Sequence, residues 1–142
     1  MHKALYYELY KDDIIKCTLC PHNCLIKDDE KGICSVRQNK KGKLYTLVYD
    51  KVLSAHIDPI EKKPLFHFLP GSSIFSFCTV GCNFKCDFCQ NYGESQISKG
   101  NSGKIIGEKI NPKEIVKLAI ENKCESIAMT YVEPTIFYEF AY

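Results

Sequence analysis

The chain has 142 residues, a length that favours one modest domain over several. Its net charge of +2 argues neither for nor against a nucleic-acid partner. Its lysines are scattered and form no concentrated basic patch, so we expect no such partner. No apolar stretch approaches the roughly 20 residues of a membrane-spanning helix, so we expect no membrane partner either.

Nine cysteines are far more than a chain of this length usually carries. A secreted disulfide scaffold is one explanation, but residues 1–7 lack the apolar core of a signal peptide. The number is odd, and eight of the nine lie in two short clusters with ligand-like spacing. We therefore predict metal or iron–sulfur binding in a reducing cytoplasm.

Three segments are predicted along the chain. Residues 1–43 form a small module with four cysteines, and the polar stretch 37–43 closes it. Residues 44–72 hold two β-rich runs, 44–49 and 52–57, predicted to pair as a hairpin around Asp50-Lys51. An ordered connector follows, because the two prolines between residues 58 and 64 discourage both helix and sheet.

Residues 73–142 predict alternating strands and helices. The apolar run 74–79 is typical of a strand buried on both faces. Residues 93–108 hold four glycines and indicate a loop. A helix then begins at Asn111-Pro112, since Asn caps, Pro suits the first helical position and Glu114 completes a capping box.

A second strand is predicted over residues 126–130, and a second helix from Thr135 onward. This order implies a right-handed parallel βαβ unit and therefore an α/β fold. The chain stops inside an apolar helix, which indicates a truncated sequence with room for two βα units.

Cys82, Cys86 and Cys89 follow the first buried strand with the spacing C-x3-C-x2-C. Thiolates from one tight loop can hold three irons of a four-iron cubane, and the fourth iron is then open to a substrate or cofactor. Zinc is the alternative, with Cys78 as a fourth ligand. Cys78 and Cys124 are otherwise expected to be small buried hydrophobes.

Cys17, Cys20, Cys24 and Cys34 supply four thiolates, enough to close a second site. Zinc and a second iron–sulfur cluster both fit, and His22 is an alternative ligand. Disulfide bonding is a further alternative for these four cysteines. Structural roles are expected for the remaining polar residues of interest: histidines 56 and 67, a solvated pair at Lys62 and Lys63, and loop caps at Gln90 and Asn91.

The chain resembles the radical S-adenosylmethionine (SAM) superfamily through its Gly-Cys-x3-Cys-x2-Cys loop after a buried strand. Further motifs resemble one subfamily, the radical SAM protein of the AmmeMemoRadiSam system, which is related to pyruvate formate-lyase activating enzyme. These motifs occupy residues 17–34, 58–68, 88–91 and 130–135.

The resemblance implies a partial (βα)6 barrel, of which residues 73–142 would supply the first two βα units. Cys82, Cys86 and Cys89 would ligate a [4Fe–4S] cluster, and SAM would chelate the open iron. Phe88 would pack near the adenine, and Glu133 would accept a hydrogen bond from the methionine ammonium. Tyr131 either faces SAM or belongs to the core.

The implied reaction is reductive cleavage of SAM to methionine and a 5′-deoxyadenosyl radical, which abstracts hydrogen from a substrate. It would require a one-electron donor such as ferredoxin or flavodoxin. The substrate is unknown, and a protein glycine is one candidate. The alternative function is a non-catalytic iron–sulfur or zinc module.

Overall fold

The computed structural model describes residues 1–100 and 103–142. The strands in these residues are β1 (His2–Lys3), β2 (Tyr7–Lys11), β3 (Ile14–Cys17), β4 (Leu25–Ile26), β5 (Arg37–Lys40), β6 (Lys43–Thr46), β7 (Lys51–Val52), β8 (Ser54–Pro59), β9 (Ser73–Cys78), β10 (Glu108–Lys109) and β11 (Ser126–Met129). The α-helices are α1 (Tyr92–Gln96), α2 (Pro112–Glu121) and α3 (Tyr138–Ala141), and 3₁₀ turns occupy Ile60–Lys62 and Pro134–Phe137. No helix within the described ranges is long and apolar enough to cross a membrane.

Two small antiparallel sheets build the N-terminal part of the chain. One has the order β2-β3-β4 and the other the order β1-β6-β5. A cluster of buried side chains lies between them: Ala4, Ile15, Cys17, Ile26 and Leu44. This core is separate from the larger one that surrounds the central sheet.

The predicted hairpin between 44–49 and 52–57 is wrong. β6 pairs instead with β5, in register Lys40↔Lys43, and β8 pairs with β9. The tight turn between β5 and β6 consists of Lys41 and Gly42, both with positive φ (51° and 72°). A two-residue hairpin turn with both central residues at positive φ matches the twist of its strands, so β6 pairs with the strand before it.

The polar stretch 37–43 therefore does not close the four-cysteine module, contrary to the prediction, because it contains the paired and partly buried strand β5. Arg37 and Asn39 of β5 are buried, and the Asn39 amide donates to the carbonyls of Asp13 (2.6 Å) and Ile26 (2.8 Å). These two hydrogen bonds offset much of the cost of burying the Asn39 amide nitrogen.

The central sheet has the order β11-β9-β8. β9 runs parallel to β11, with Ile74 opposite Ser126, and antiparallel to β8. The structure confirms the predicted strands at residues 74–79 and 126–130, to within one residue at the ends. It also confirms the capping box at the start of α2, where Asn111 and Glu114 exchange side-chain to backbone hydrogen bonds.

α2 buries Ile115 and Ala119 in the core that contains Phe75 and Phe77 of β9. The result is one parallel β-α-β unit within a mixed α/β molecule of several sheets and few helices. The predicted loop 93–108 is partly helical, since α1 extends to Gln96.

A buried ion pair joins the N-terminal part of the chain to α3. Arg37 Nη1 lies 2.8 and 3.0 Å from the two carboxylate oxygens of Glu139, and both side chains are 2% exposed. The backbone N–H of Leu5 also donates to Glu139 Oε1 at 2.7 Å, and Arg37 Nη2 donates to the Leu5 carbonyl. Residues more than 100 positions apart thus share one hydrogen-bonded network.

We predict that Glu139→Ala lowers the free energy of unfolding by about 3–5 kcal/mol, because it leaves the Arg37 charge buried without its partner. Urea denaturation measures this loss. Glu8→Ala is the matched control, since it breaks an exposed ion pair with Lys16 and is expected to cost about 1 kcal/mol or less. Equal losses in the two variants would contradict the role assigned to the buried pair.

Candidate metal centre

The loop with Cys82, Cys86 and Cys89 begins four residues after the end of β9. Its first cysteine is buried (7% exposed), Cys89 is half-buried and Cys86 is exposed. Three hydrogen bonds from the α1 region support this loop: Gly81 N–H to the Glu94 carbonyl (3.0 Å), and Gln96 Nε2 (3.2 Å) and Lys99 Nζ (3.0 Å) to the Phe84 carbonyl.

The donor set of this loop fits an iron–sulfur cluster. All nine cysteines lie in the described residues and are free thiols. The Phe84 N–H donates to Cys82 Sγ at 3.4 Å, and Cys89 Sγ lies 3.6 Å from Ser95 Oγ. Three cysteines from one loop match the ligand set of a four-iron cluster that leaves one iron open.

Cys78 differs from these three cysteines in its surroundings. It is fully buried in the core, and burial raises the pKa of its thiol to about 11. Such a thiol behaves as a small hydrophobe, as predicted. Cys124 is half-buried against the same core.

The four N-terminal cysteines come together around one cavity of about 10 Å³. Cys17 ends β3, and its N–H donates to the Cys24 carbonyl at 2.9 Å. A turn closed by the Asn23 N–H on the Cys20 carbonyl places Cys20 beside this pair. Cys34 approaches from a second turn, in which the Ser35 N–H donates to the Gly32 carbonyl.

Burial dominates the chemistry of two of these thiols. It raises the pKa of Cys34 to about 11, against smaller lowering effects from the Val36 N–H and the Arg37 charge. It also raises the pKa of Cys17, opposed by the Leu19 N–H and again by Arg37. Without a cation, both thiols therefore stay protonated at neutral pH.

In residues 1–100 and 103–142, no three His, Cys, Asp or Glu side chains already surround a single point as a metal-ion site. For the loop this is compatible with a cubane, because each thiolate of a cluster binds a different iron. The N-terminal thiols share a cavity but would have to turn their sulfurs toward a common ion.

The two cysteine sets are neighbours. His22, which lies between Cys20 and Cys24, has its Nε2 2.9 Å from the backbone carbonyl of Asn83. Gly81 has φ +95°, and a Cβ at this position would lie 2.5 Å from Val36 Cγ1 and 3.0 Å from the Cys34 carbonyl. The segment that carries Cys82 is therefore pressed against the N-terminal cysteine site.

Glu133 follows β11 at its carboxyl end, beside the carboxyl end of β9. Its Oε1 accepts hydrogen bonds from Thr135 Oγ1 (2.5 Å) and from the Thr135 N–H (3.3 Å), and so caps the following 3₁₀ turn. Phe88 is 89% exposed, so its side chain is largely solvated.

Tyr131 belongs to a polar network that sequence reasoning missed. Its hydroxyl donates to Asp58 Oδ2 at 3.2 Å, and Asp58 is 4% exposed. Lys62 and Lys63 each donate to this carboxylate at 2.7 Å. The prediction of a solvated lysine pair is therefore wrong for Lys63, whose side chain is only 13% exposed and lies over the Tyr131 ring.

The sequence contains a weak signal for the role of Asp58. Asp58 precedes Lys62 by four positions, a spacing at which one turn of helix brings opposite charges together. Burial opposes ionisation of Asp58, but the hydrogen bonds from Lys62 and Lys63 prevail and hold the pKa of its carboxyl well below the usual range. His56 packs edge-on against Tyr131 at 5.9 Å, and His67 is exposed.

Comparison with known proteins adds a family match to this geometry. Residues 76–142 match the Radical SAM superfamily. This is a family of SAM-cleaving iron–sulfur enzymes, and the matched segment begins in β9 and contains both the cysteine loop and Glu133.

Two relatives of the whole chain come from Methanocaldococcus jannaschii, and both are described as uncharacterized proteins. One is 46% identical over 142 residues, which are 100% of this chain and 42% of the relative. The other is 30% identical over 134 residues, 92% of this chain and 35% of the relative. The chain thus spans well under half the length of these relatives, and no solved structure matches it.

The Asp58 network predicts a pH-dependent stability. The folded-state pKa of Asp58 lies below its unfolded value of about 3.9. Its carboxylate therefore adds stability that is complete above about pH 5 and is lost as the pH falls through the folded-state pKa. We expect Asp58→Asn to cost about 2–3 kcal/mol at pH 7 and progressively less below about pH 4.

Urea denaturation between pH 3 and pH 7 measures this difference in the free energy of unfolding between the wild type and the variant. Glu121→Gln, on an exposed pair with Lys117, is the matched control and is expected to change little at any pH. If the difference in the free energy of unfolding for Asp58→Asn does not become smaller in acid, the stabilising role of the ionised Asp58 carboxylate is contradicted.

Proposed function

We propose that this protein cleaves SAM reductively at a [4Fe–4S] cluster held by Cys82, Cys86 and Cys89. One observation carries the proposal: the three-cysteine loop follows the carboxyl end of β9, and Glu133 follows the carboxyl end of its parallel neighbour β11. Ligands of parallel α/β sheets bind at such carboxyl ends. The family match of residues 76–142 supports it independently.

When bound, the cluster would supply the electron that splits SAM into methionine and a 5′-deoxyadenosyl radical, the species that takes hydrogen from a substrate. The protein's part is binding and orientation. Three thiolates from one loop leave one iron of a four-iron cluster without a protein ligand, which is where SAM would bind.

Glu133 would hold the methionine ammonium of SAM. Both of its hydrogen bonds within the described residues use Oε1, so Oε2 has lone pairs available for a further donor. A carboxylate–ammonium hydrogen bond is charge-assisted and therefore stronger than a neutral one. Phe88, exposed in the same loop as the cysteines, would cover the adenine, and Tyr131 would stand at the edge of this site.

The finer assignment is to the radical SAM protein of the AmmeMemoRadiSam system. Residues 73–142 would supply the first βα units of a partial (βα)6 barrel. A four-cysteine N-terminal part, whose sheet β1-β6-β5 extends to Thr46, and a connector up to residue 72 would precede it. Ferredoxin or flavodoxin would donate the electron, and a protein glycine is a candidate substrate. The motif agreement along the chain supports these assignments.

We predict that the whole protein, reconstituted with iron and sulfide without oxygen, reduced with dithionite and given SAM, releases 5′-deoxyadenosine. Cys86→Ala should abolish this product and remove roughly four irons per chain, because it deletes a cluster ligand. The same variant should keep the metal bound at Cys17, Cys20, Cys24 and Cys34. Chromatography of the products and metal analysis measure both results.

Cys124→Ala is the matched control, since Cys124 lies outside both cysteine sets and should leave the iron content and the product unchanged. If the wild-type protein holds an intact cluster but forms no 5′-deoxyadenosine, the proposed SAM-cleaving activity is refuted and a non-catalytic iron–sulfur module is favoured. Loss of both metals in Cys86→Ala would refute the separation of the two sites.

We predict that Glu133→Gln weakens SAM binding by about 10- to 100-fold, the equivalent of losing one hydrogen bond to a charged group. The cluster absorbance should stay the same, because Glu133 is not a cluster ligand. Equilibrium binding of SAM to the reconstituted protein measures the affinity, with Glu121→Gln on the surface of α2 as control. An unchanged affinity would remove Glu133 from the SAM site.

A further inference from the structure

The N-terminal cysteine cavity contains polar groups that lack partners. Cys17, Cys20, Cys24 and Cys34 line it together with Arg37 and Asn83. Arg37 is 2% exposed and Asn83 is 6% exposed, and neither Arg37 Nε nor Asn83 Oδ1 has a hydrogen-bond partner among the described residues. A buried donor without a partner costs free energy, so the Arg37 Nε–H would gain from an acceptor in this cavity.

We propose that Cys17, Cys20, Cys24 and Cys34 bind a single tetrahedral zinc ion, and that this ion fixes the position of the neighbouring cluster loop through His22. The second half of the proposal rests on the proposed function, because it assumes that the loop carries a cluster. The first half does not depend on it.

The size of the cavity favours one ion. Its volume is about 10 Å³, which is room for roughly one water-sized body. A four-iron cubane, with its four sulfides, would need the surrounding walls to move apart. Four thiolates and no vacant position are the arrangement typical of structural zinc sites.

Zinc is also favoured over a single ferrous ion by intrinsic affinity. Sites with nitrogen, oxygen or sulfur ligands bind zinc more tightly than ferrous iron. Zinc binds cysteine as the thiolate, so its binding would release the thiol protons of the four cysteines.

Arg37 gives the site a donor for the bound form. Four thiolates outweigh the charge of one zinc ion, so the sulfurs carry excess negative charge and accept hydrogen bonds. Arg37 already uses Nη1 for Glu139 and Nη2 for the Leu5 carbonyl. Its Nε–H has no partner among the described residues and could donate to a zinc-bound sulfur, and this contact would satisfy the buried atom.

Two contacts would transmit the order of the zinc site to the cluster loop. His22 sits in the turn between Cys20 and Cys24, and its Nε2 lies 2.9 Å from the carbonyl of Asn83. On the other side, Val36 and the Cys34 carbonyl press against Gly81. Gly81 and Asn83 flank Cys82, so a zinc ion that fixes the turn and Cys34 also fixes both neighbours of the first cluster ligand.

Such coupling is reciprocal. If zinc strengthens retention of the cluster by some factor, the cluster strengthens retention of zinc by the same factor. A factor of about 10 would leave a tetrathiolate zinc site fully occupied without the cluster, because its own affinity is far larger. The coupling therefore agrees with the expectation that Cys86→Ala keeps its N-terminal metal.

The test uses the whole protein, reconstituted without oxygen in the presence of zinc. Metal analysis should give one zinc per chain in addition to the cluster iron. Cys20→Ala should lose the zinc and lose iron to a chelator about 10-fold faster than the wild type. His22→Ala should keep the zinc but lose iron about 5- to 10-fold faster, and His67→Ala, at an exposed histidine, should match the wild type.

Hydrogen exchange of the amides of residues 82–91 gives a readout without iron. It should speed up in zinc-loaded His22→Ala and stay at the wild-type rate in zinc-loaded His67→Ala. His22→Ala also covers the case in which Cys20→Ala fails to fold, since it leaves all four thiols in place.

Four additional irons, or one iron in place of zinc, at the N-terminal cysteines would overturn the zinc assignment. Loss of zinc in His22→Ala would show that His22 is a zinc ligand and would overturn its linking role. Iron retention and amide exchange equal to those of the wild type would also overturn the linking role. Failure of the proposed function has a different signature: one zinc bound, a protected loop that depends on His22, and no iron at Cys82, Cys86 and Cys89.

Discussion

The parallel pairing of β9 with β11 is the constraint on which the rest of the structure depends. Parallel neighbours need a long crossover, and here it contains the cysteine loop, α1 and α2 before the chain returns at Ser126. The pairing puts both carboxyl ends at one edge of the sheet. The loop from Cys82 and the turn at Glu133 thus share that edge, although about 50 residues separate them.

Two buried charge networks hold distant segments against this sheet. Arg37 and Glu139 connect β5 to α3, while Asp58 connects the end of β8 to Tyr131 after β11. Burying a charge is costly unless it is paired, so each network fixes its segments in one arrangement in which every charge has a partner. Both networks tie chain segments before β9 to segments after β11, and so they position the residues at both sides of the candidate site.

The sequence predicted features whose cause is local and missed those whose cause is remote. The start of α2 was predictable because Asn111, Pro112 and Glu114 interact within one turn. β9 and β11 were predictable from their apolar residues. The partner of β6 was missed because Lys41-Gly42 is a weaker turn signal than Asn-Gly. The contacts of Asp58 with Tyr131 and of Arg37 with Glu139 were missed because no local pattern records a contact across 70 or 100 residues.

The cysteine loop is covered on one side only, and this asymmetry suits the chemistry. Cys82 is buried where Gly81 and Asn83 meet Val36 and His22, whereas Cys86 and Phe88 face solvent. A cluster that must bind SAM directly needs a rigid protein side and an open side. A metal ion at the N-terminal cysteines would add rigidity at Cys82 and leave the exposed face of the loop clear, which would explain why a second cysteine-rich site lies against the first.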